Sequence, residues 1–147
     1  MKMALLNKPS AALAECELTF VNRSSIDLQK AREQHRAYAI ALEDLGVEVS
    51  MLTLNETMPD GVFVEDTAVM LDELAVITSM GTLNRRKEVP AIATEISKYR
   101  KTYEIPLPAT LEGGDVLRIG RRIYIGETVR TNKDAISIFT RIVKPLG

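Results

Sequence analysis

Neither sign of charge is in excess: 19 lysines and arginines meet 20 aspartates and glutamates over 147 residues. That balance leaves no electrostatic footprint for nucleic acid or an acidic membrane, so a small molecule or a protein is the expected partner. Cysteine is nearly absent. Cys16 is the only one, which excludes an intrachain disulfide framework and fits a reducing cytoplasm. No apolar run is long enough to cross a bilayer, and no low-complexity linker interrupts the chain. The opening Met1-Lys2-Met3-Ala4-Leu5-Leu6 has the look of a signal peptide, with Leu13-Ala14-Glu15-Cys16 in the place of a lipoprotein box. Asn7-Lys8-Pro9 breaks that apolar core and Glu15 stands where a small residue is needed, so a short first strand is expected instead. The length fits a single domain over 1–147.

What is present is an alternation of helices and strands. Leu28, Ala31, His35, Tyr38, Leu42 and Leu45 recur at three- and four-residue steps, the stripe of an amphipathic helix. Ser24 or Ser25 is the expected cap and Gly46 the left-handed residue after the helix. Val47, Val49 and Met51 then alternate as a half-buried strand. Ala68 to Leu71 and Leu74 to Thr78 read as a hairpin turned at Asp72-Glu73. A helix is expected from near Arg86 to Tyr99, with Pro90 in its first turn and Val89, Ile92, Ala93 and Ile96 inward. Tyr103, Ile105 and Leu107 suggest a strand stopped by Pro106 and Pro108. The plan then recurs, with a hairpin around Gly120-Arg121 and a helix capped by Asn132 through Ile136, Phe139 and Val143.

Strand, strand, helix, strand is therefore an internal repeat with a period of about 45 to 50 residues, the range of propellers and solenoids. The last repeat lacks its closing strand, which leaves a sheet edge open. A repeat that returns polar residues to one register points them at a shared centre, as propeller blades do.

Those polar residues are two acidic stations, Glu65-Asp66 with Asp60 nearby in sequence, and Glu112-Gly113-Gly114-Asp115. Glu65 and Asp66 lie between apolar segments, so partial burial and a cationic partner are expected, either an internal arginine or a bound cation. A planar guanidinium suits carboxylates in two-pronged geometry. Gly113-Gly114 permits close approach of a ligand, unusual backbone angles or a plain tight turn. Arg85 and Arg130 each precede a helix, where a cation is unfavourable unless its side chain reaches an anion. They read either as carboxylate grippers or as exposed ion-pair formers.

Four segments in order, Asp60-Gly-Val-Phe63-Val-Glu65-Asp66-Thr67, Arg85-Arg86, Leu111-Glu112-Gly-Gly-Asp115-Val-Leu and Gly126-Glu-Thr-Val-Arg130-Thr-Asn132, resemble the dimethylarginine dimethylaminohydrolases. These belong to the guanidine-modifying, or amidinotransferase, superfamily. The likeness extends to Gln34-His35-Arg-Ala-Tyr38. It implies an incomplete α/β-propeller, pentein-like, of about three ββαβ units. It implies Asp66, with Glu65 beside it, for the guanidinium, and Glu112 as the acidic catalytic residue. Asp60 and the Leu18 backbone, on a lid loop, are implied for the α-amino group, and Arg85 and Arg130 for the α-carboxylate. No cofactor and no metal is implied.

The family's chemistry uses a cysteine nucleophile near its C-terminus and a histidine from its fourth unit. The resemblance gives His35 a non-catalytic position, expected to be packed and hydrogen-bonded, and Cys16 lies in the wrong unit. The expectation is therefore an N-terminal portion of such a hydrolase with no measurable activity alone. Two other readings stay open: a non-catalytic module binding arginine or a related guanidino compound, and an interaction protein that oligomerises through open propeller edges. A homodimer is expected.

Overall fold

The computed structural model describes residues 2–146. The chain folds as two lobes, Met1–Val64 and Glu65–Gly147.

In the first lobe, β1 (Lys2–Asn7) and β2 (Val47–Leu52) are joined through helix α1 (Leu28–Asp44). The two strands are parallel, with Lys2 opposite Val47 and Asn7 opposite Leu52. A parallel pair needs a crossover of this length, and the helix supplies it. Asp27, rather than Ser24 or Ser25, caps α1, its carboxylate accepting the Lys30 amide at 3.0 Å. Gly46 ends the helix at φ +77°, as expected.

The buried stripe of α1 departs from the expected one. Ala39 is buried, whereas Tyr38 and Leu45 are 55% and 80% exposed. A four-residue step from His35 lands on Ala39, and Leu45 already lies in the C-cap. His35 is half-buried, and desolvation lowers its pKa; no hydrogen bond to its ring is present among the described residues, contrary to expectation. Met51 faces solvent, and Leu52 supplies the buried end of β2.

A buried amide organises the end of this lobe. Asn7 donates to the Leu54 and Gly61 carbonyls at 2.6 and 2.8 Å and accepts the Leu54 amide at 2.9 Å. Every polar atom of that side chain is thereby satisfied out of water, and the turn that carries Asp60 is tied to the end of β1.

The second lobe holds the repeat in its full ββαβ form. β3 (Ala68–Met70) and β4 (Leu74–Ile77) make the expected hairpin, closed by Leu71 N–H to Leu74 O at 2.9 Å. After a 3-10 turn over Leu83–Glu88, helix α2 (Val89–Ile96) leads to β5 (Lys101–Glu104), parallel to β4. All four residues of β4 are buried, because a central strand covered on both faces needs a continuous apolar run. Two expected boundaries shift here. Arg86 lies in the 3-10 turn, with α2 starting at Val89 and Pro90 in its first turn. The strand at β5 ends before Ile105, which is buried, while Tyr103 and Leu107 are exposed.

β6 (Val116–Ile119) and β7 (Arg122–Ile125) form the second hairpin, with Gly120 at φ +59° in its turn. Helix α3 (Lys133–Val143) follows, capped by Asn132, whose side-chain oxygen accepts the Ala135 amide at 3.0 Å. Its Ala135 and Phe139 pack with Leu71, Val76, Ile105 and Leu111 in the core of this lobe. The repeat thus reads βαβ, ββαβ and ββα along the described residues.

Candidate functional site

Both acidic stations lie in the second lobe, each on a short 3-10 turn that enters a strand: Val64–Thr67 before β3 and Gly113–Asp115 before β6. The two turns touch. A Cβ built on Gly113 would lie 2.0 Å from the Glu65 carbonyl oxygen, and one on Gly114 would lie 2.6 Å from Asp66 Oδ1. With no side chain in the way, the Gly114 amide donates to Asp66 Oδ1 at 3.0 Å. Of the roles left open for the diglycine, the tight turn is seen, and what comes close to it is the other station rather than a ligand.

The arginines point to anions, and the anions are the chain's own. Arg85 Nη1 donates to Asp66 Oδ2 at 2.6 Å. On its other side Arg85 faces Glu88, with Nη2 to Oε2 at 3.0 Å and Nε to Oε2 at 3.3 Å. Arg85 and Glu88 side chains are each 2% exposed and Asp66 17%. Burial works to lower the Arg85 pKa, but the hydrogen bonds and charges of Glu88 and Asp66 outweigh it, so the pKa is raised and the group stays cationic.

Arg130 makes the corresponding pair one repeat later, Nη1 to Glu112 Oε2 at 3.0 Å, and is 26% exposed. Neither arginine is an exposed ion-pair former. Glu112 itself is buried. Its amide donates to Thr131 Oγ1 at 3.1 Å, and that hydroxyl donates to Asp115 Oδ2 at 2.5 Å. The Thr128 hydroxyl donates to the same Asp115 oxygen at 2.9 Å and accepts the Arg130 and Thr131 amides. Gly81 adds a steric stop, since a Cβ there would lie 2.6 Å from the Arg130 Cα.

One oxygen is left over. Glu112 Oε1 is a buried side-chain oxygen with no hydrogen-bond partner among the described residues. A buried carboxylate oxygen without a donor costs about 1–3 kcal/mol or more, so an N–H brought to it is favoured.

Glu65 differs from its neighbour. The residue is solvent-exposed, yet partial burial of its carboxyl raises the pKa; its own backbone hydrogen bond opposes the rise, nearby Asp66 adds to it and Arg85 reduces it. Solvent screening keeps the energetic consequence small. Among the described residues, no group of three or more His, Cys, Asp or Glu has the geometry to hold a metal ion.

The remaining expected residues belong to the first lobe. Asp60 is buried, and its two carboxylate oxygens accept the Glu17 amide at 3.2 and 3.1 Å. That bond holds the residue before Leu18. Arg23 bonds the carbonyls of Ala14 and Cys16, the latter at 2.7 Å, so the segment leading to Leu18 is anchored at both its start and its return. Leu18 itself is exposed, Cys16 is buried as a free thiol, and His35 lies on α1.

The sequence points to the carboxylates, Asp115 among them, and to both arginines, but not to Glu88 or to the Thr128 and Thr131 hydroxyls that hold Asp115. The three-residue step from Arg85 to Glu88 was a usable signal, because such pairs face each other on a helical turn.

The sequence model of the family described as N,N-dimethylarginine dimethylhydrolase, eukaryotic, matches residues 4–144. The N(G),N(G)-dimethylarginine dimethylaminohydrolase of Streptomyces coelicolor is 37% identical over 147 residues, covering 99% of this chain and 57% of the relative. The Pseudomonas aeruginosa counterpart is 34% identical over 148 residues, covering 99% and 58%. A cysteine-to-serine mutant of the P. aeruginosa enzyme complexed with citrulline superposes with a TM-score of 0.93 at 34% identity, over 98% of this chain and 57% of that one. The N-terminal domain of ArgZ, an arginine dihydrolase, shares the fold at a TM-score of 0.86 and 20% identity, over 97% and 54%.

The chain thus spans 57–58% of the length of these curated relatives. The mixed α/β, pentein-like class is that of the solved neighbours. Nothing in these matches supports the expected inactivity of the chain on its own. No helix among the described residues is long and apolar enough to cross a membrane.

Proposed function

Because this chain belongs to the dimethylarginine dimethylaminohydrolase family, we propose that its second lobe is a recognition site for an arginine-like guanidino compound, serving the hydrolysis of dimethylarginine to citrulline and dimethylamine. In that reaction water is consumed and the C–N bond to the dimethylated nitrogen breaks.

The observation that carries the reading is Glu112 Oε1, a buried acceptor beside Arg130 with no donor among the described residues. A ligand guanidinium supplies N–H donors in a plane, the geometry a carboxylate takes best. Asp66, with Glu65 beside it, provides the second acidic face. Positive charge on the guanidinium carbon is then held between carboxylates. Glu112 is the acidic catalytic residue in this reading: it orients the guanidinium and stabilises the charge that persists as the carbon is attacked.

The carboxylate of the ligand is assigned to Arg130 and its guanidinium to Glu112 and Asp66. These assignments rest on the resemblance. For Arg130 to serve, its guanidinium leaves Glu112 as the ligand's guanidinium arrives. Its partial exposure favours that exchange over one at the buried Arg85.

Calorimetric titration of the 147-residue chain with L-arginine and dimethylarginine tests the proposal. Heats that fit one site and vanish in Glu112→Gln are expected; no heat at millimolar ligand would overturn it.

A second reading is favoured by a separate observation. Leu117, Ile119 and Tyr124 share the outer face of the β6–β7 hairpin and are each more than half exposed. An apolar sheet face of this kind promotes association, and a homodimer is its simplest product. Light scattering that finds only monomers at high concentration would remove this reading.

A further inference from the structure

Arg85 stands between two carboxylates, Asp66 on Nη1 and Glu88 on Nη2 and Nε. With two anions sharing one cation, the three groups carry one excess negative charge. The Arg130–Glu112 pair carries none. Glu88 is buried and comes from the same 3-10 turn as Arg85, three residues on. It therefore shares the Arg85 guanidinium with Asp66 without offering itself to solvent.

We propose that Glu88 is a positioning residue that sets the site's preference for a cationic over a neutral ligand. It holds Arg85 by Nη2 and Nε, which turns Nη1 to Asp66 and fixes that carboxylate between Arg85 and the Gly114 amide. Because Glu88 already offsets the Arg85 charge, Asp66 keeps negative charge for an incoming guanidinium. A neutral ureido ligand of the same shape gains nothing from that charge. The inference rests on the guanidino-recognition reading and adds to it a residue with no ligand contact.

The chemistry predicts a split rather than a uniform loss. In Glu88→Gln the amide keeps the shape and a hydrogen-bond acceptor for Arg85, while the second anion is gone. Arg85 then neutralises Asp66 alone. A unit charge removed from a group bonded to the same guanidinium as Asp66 changes cation affinity by about tenfold or more, and leaves a neutral ligand's affinity unchanged to about twofold.

The test titrates L-arginine and L-citrulline calorimetrically into the whole chain, as wild type, Glu88→Gln and Glu88→Asp, with a thermal scan of each. The expected result is a fall of about tenfold in the arginine-to-citrulline affinity ratio for Glu88→Gln, with Glu88→Asp within about twofold of wild type. Equal losses for both ligands in Glu88→Gln would mark a merely structural role and overturn the inference, as would an unchanged ratio. If the Gln variant does not fold, Glu88→Asp decides: a preserved ratio at a changed absolute affinity supports the charge role, and a collapsed ratio overturns it. A wild-type chain that takes neither ligand overturns the recognition reading and this one with it, whereas a wild-type chain that binds both, with a ratio indifferent to Glu88, overturns this one only.

Discussion

The Gly114 amide donates to Asp66 Oδ1 at 3.0 Å across 48 residues of sequence. The two acidic stations are therefore one hydrogen-bonded object, joined through a residue with no side chain. Glu65 carbonyl oxygen occupies the space a Cβ on Gly113 would need, at 2.0 Å, and this contact is to backbone that has little room to yield.

Gly113→Ala is expected to destabilise the chain by about 1–3 kcal/mol or more, the range for a forced backbone shift. Gly114→Ala meets only a carboxylate oxygen and is expected to cost less stability but to disturb Asp66. Urea midpoints of the two variants measure the order. A Gly113→Ala as stable as wild type would mean that the stations are not in contact.

Much of the fold was legible because its signals are local. The turns at Asp72-Glu73 and Gly120-Arg121, the cap at Asn132 and the left-handed Gly46 each follow from the chemistry of a few adjacent residues. The stripe of α1 drifted by one residue at Tyr38, because a three- or four-residue step fits the helix equally and only packing selects Ala39. Asp27 caps α1 in place of Ser24 or Ser25 because the sequence holds several capping residues close together and only the helix start selects among them. The site was half legible. Types and spacing pointed to Asp66, Glu112, Arg85 and Arg130, but burial decides whom an arginine meets. That Arg85 turns to Glu88 as well as Asp66 is a three-dimensional fact.

Replacing Arg85 leaves two carboxylates with little or no solvent to turn to. Arg85→Met is expected to cost about 3–5 kcal/mol, the range for breaking a buried pair from one side. Arg130→Met is expected to cost less, about 1–3 kcal/mol, because partial exposure lets water reach the position it leaves. Chemical denaturation gives the order, and a larger loss for Arg130→Met would contradict the burial difference.

Thr131 offers a cleaner measure of how Glu112 is held. Its hydroxyl accepts the Glu112 amide and donates to Asp115. Thr131→Val keeps the volume and removes both bonds, leaving a buried N–H without a partner. A loss of about 1–3 kcal/mol is expected, with weakened guanidino binding. Unchanged stability would mean that the amide finds another acceptor.

Glu65 makes stability depend on pH with a definite sign. Its folded pKa lies above the ordinary 4.5, so in the window just above that value the folded chain binds more protons than the unfolded one. Stability from this group is therefore greatest below that window and is lost as pH rises through the folded pKa. His35 acts in the opposite sense: burial lowers its pKa from 6.5, and its contribution is lost as pH falls from there. Glu65→Gln is expected to lack the loss that wild type suffers as pH rises through the Glu65 pKa, so that the wild-type advantage over the variant shrinks with rising pH across about pH 4 to 7. A difference that grows in favour of wild type as pH rises would reverse the assigned sign.

The contact between the two turns also limits how this recognition surface could be moved. A designer who copied Glu65-Asp66 onto another scaffold would obtain an acidic turn with an unfixed carboxylate, since half of its support arrives from Gly113-Gly114. The smallest transplantable cassette is a pair of non-contiguous turns, and its two glycines are as obligatory as its acids.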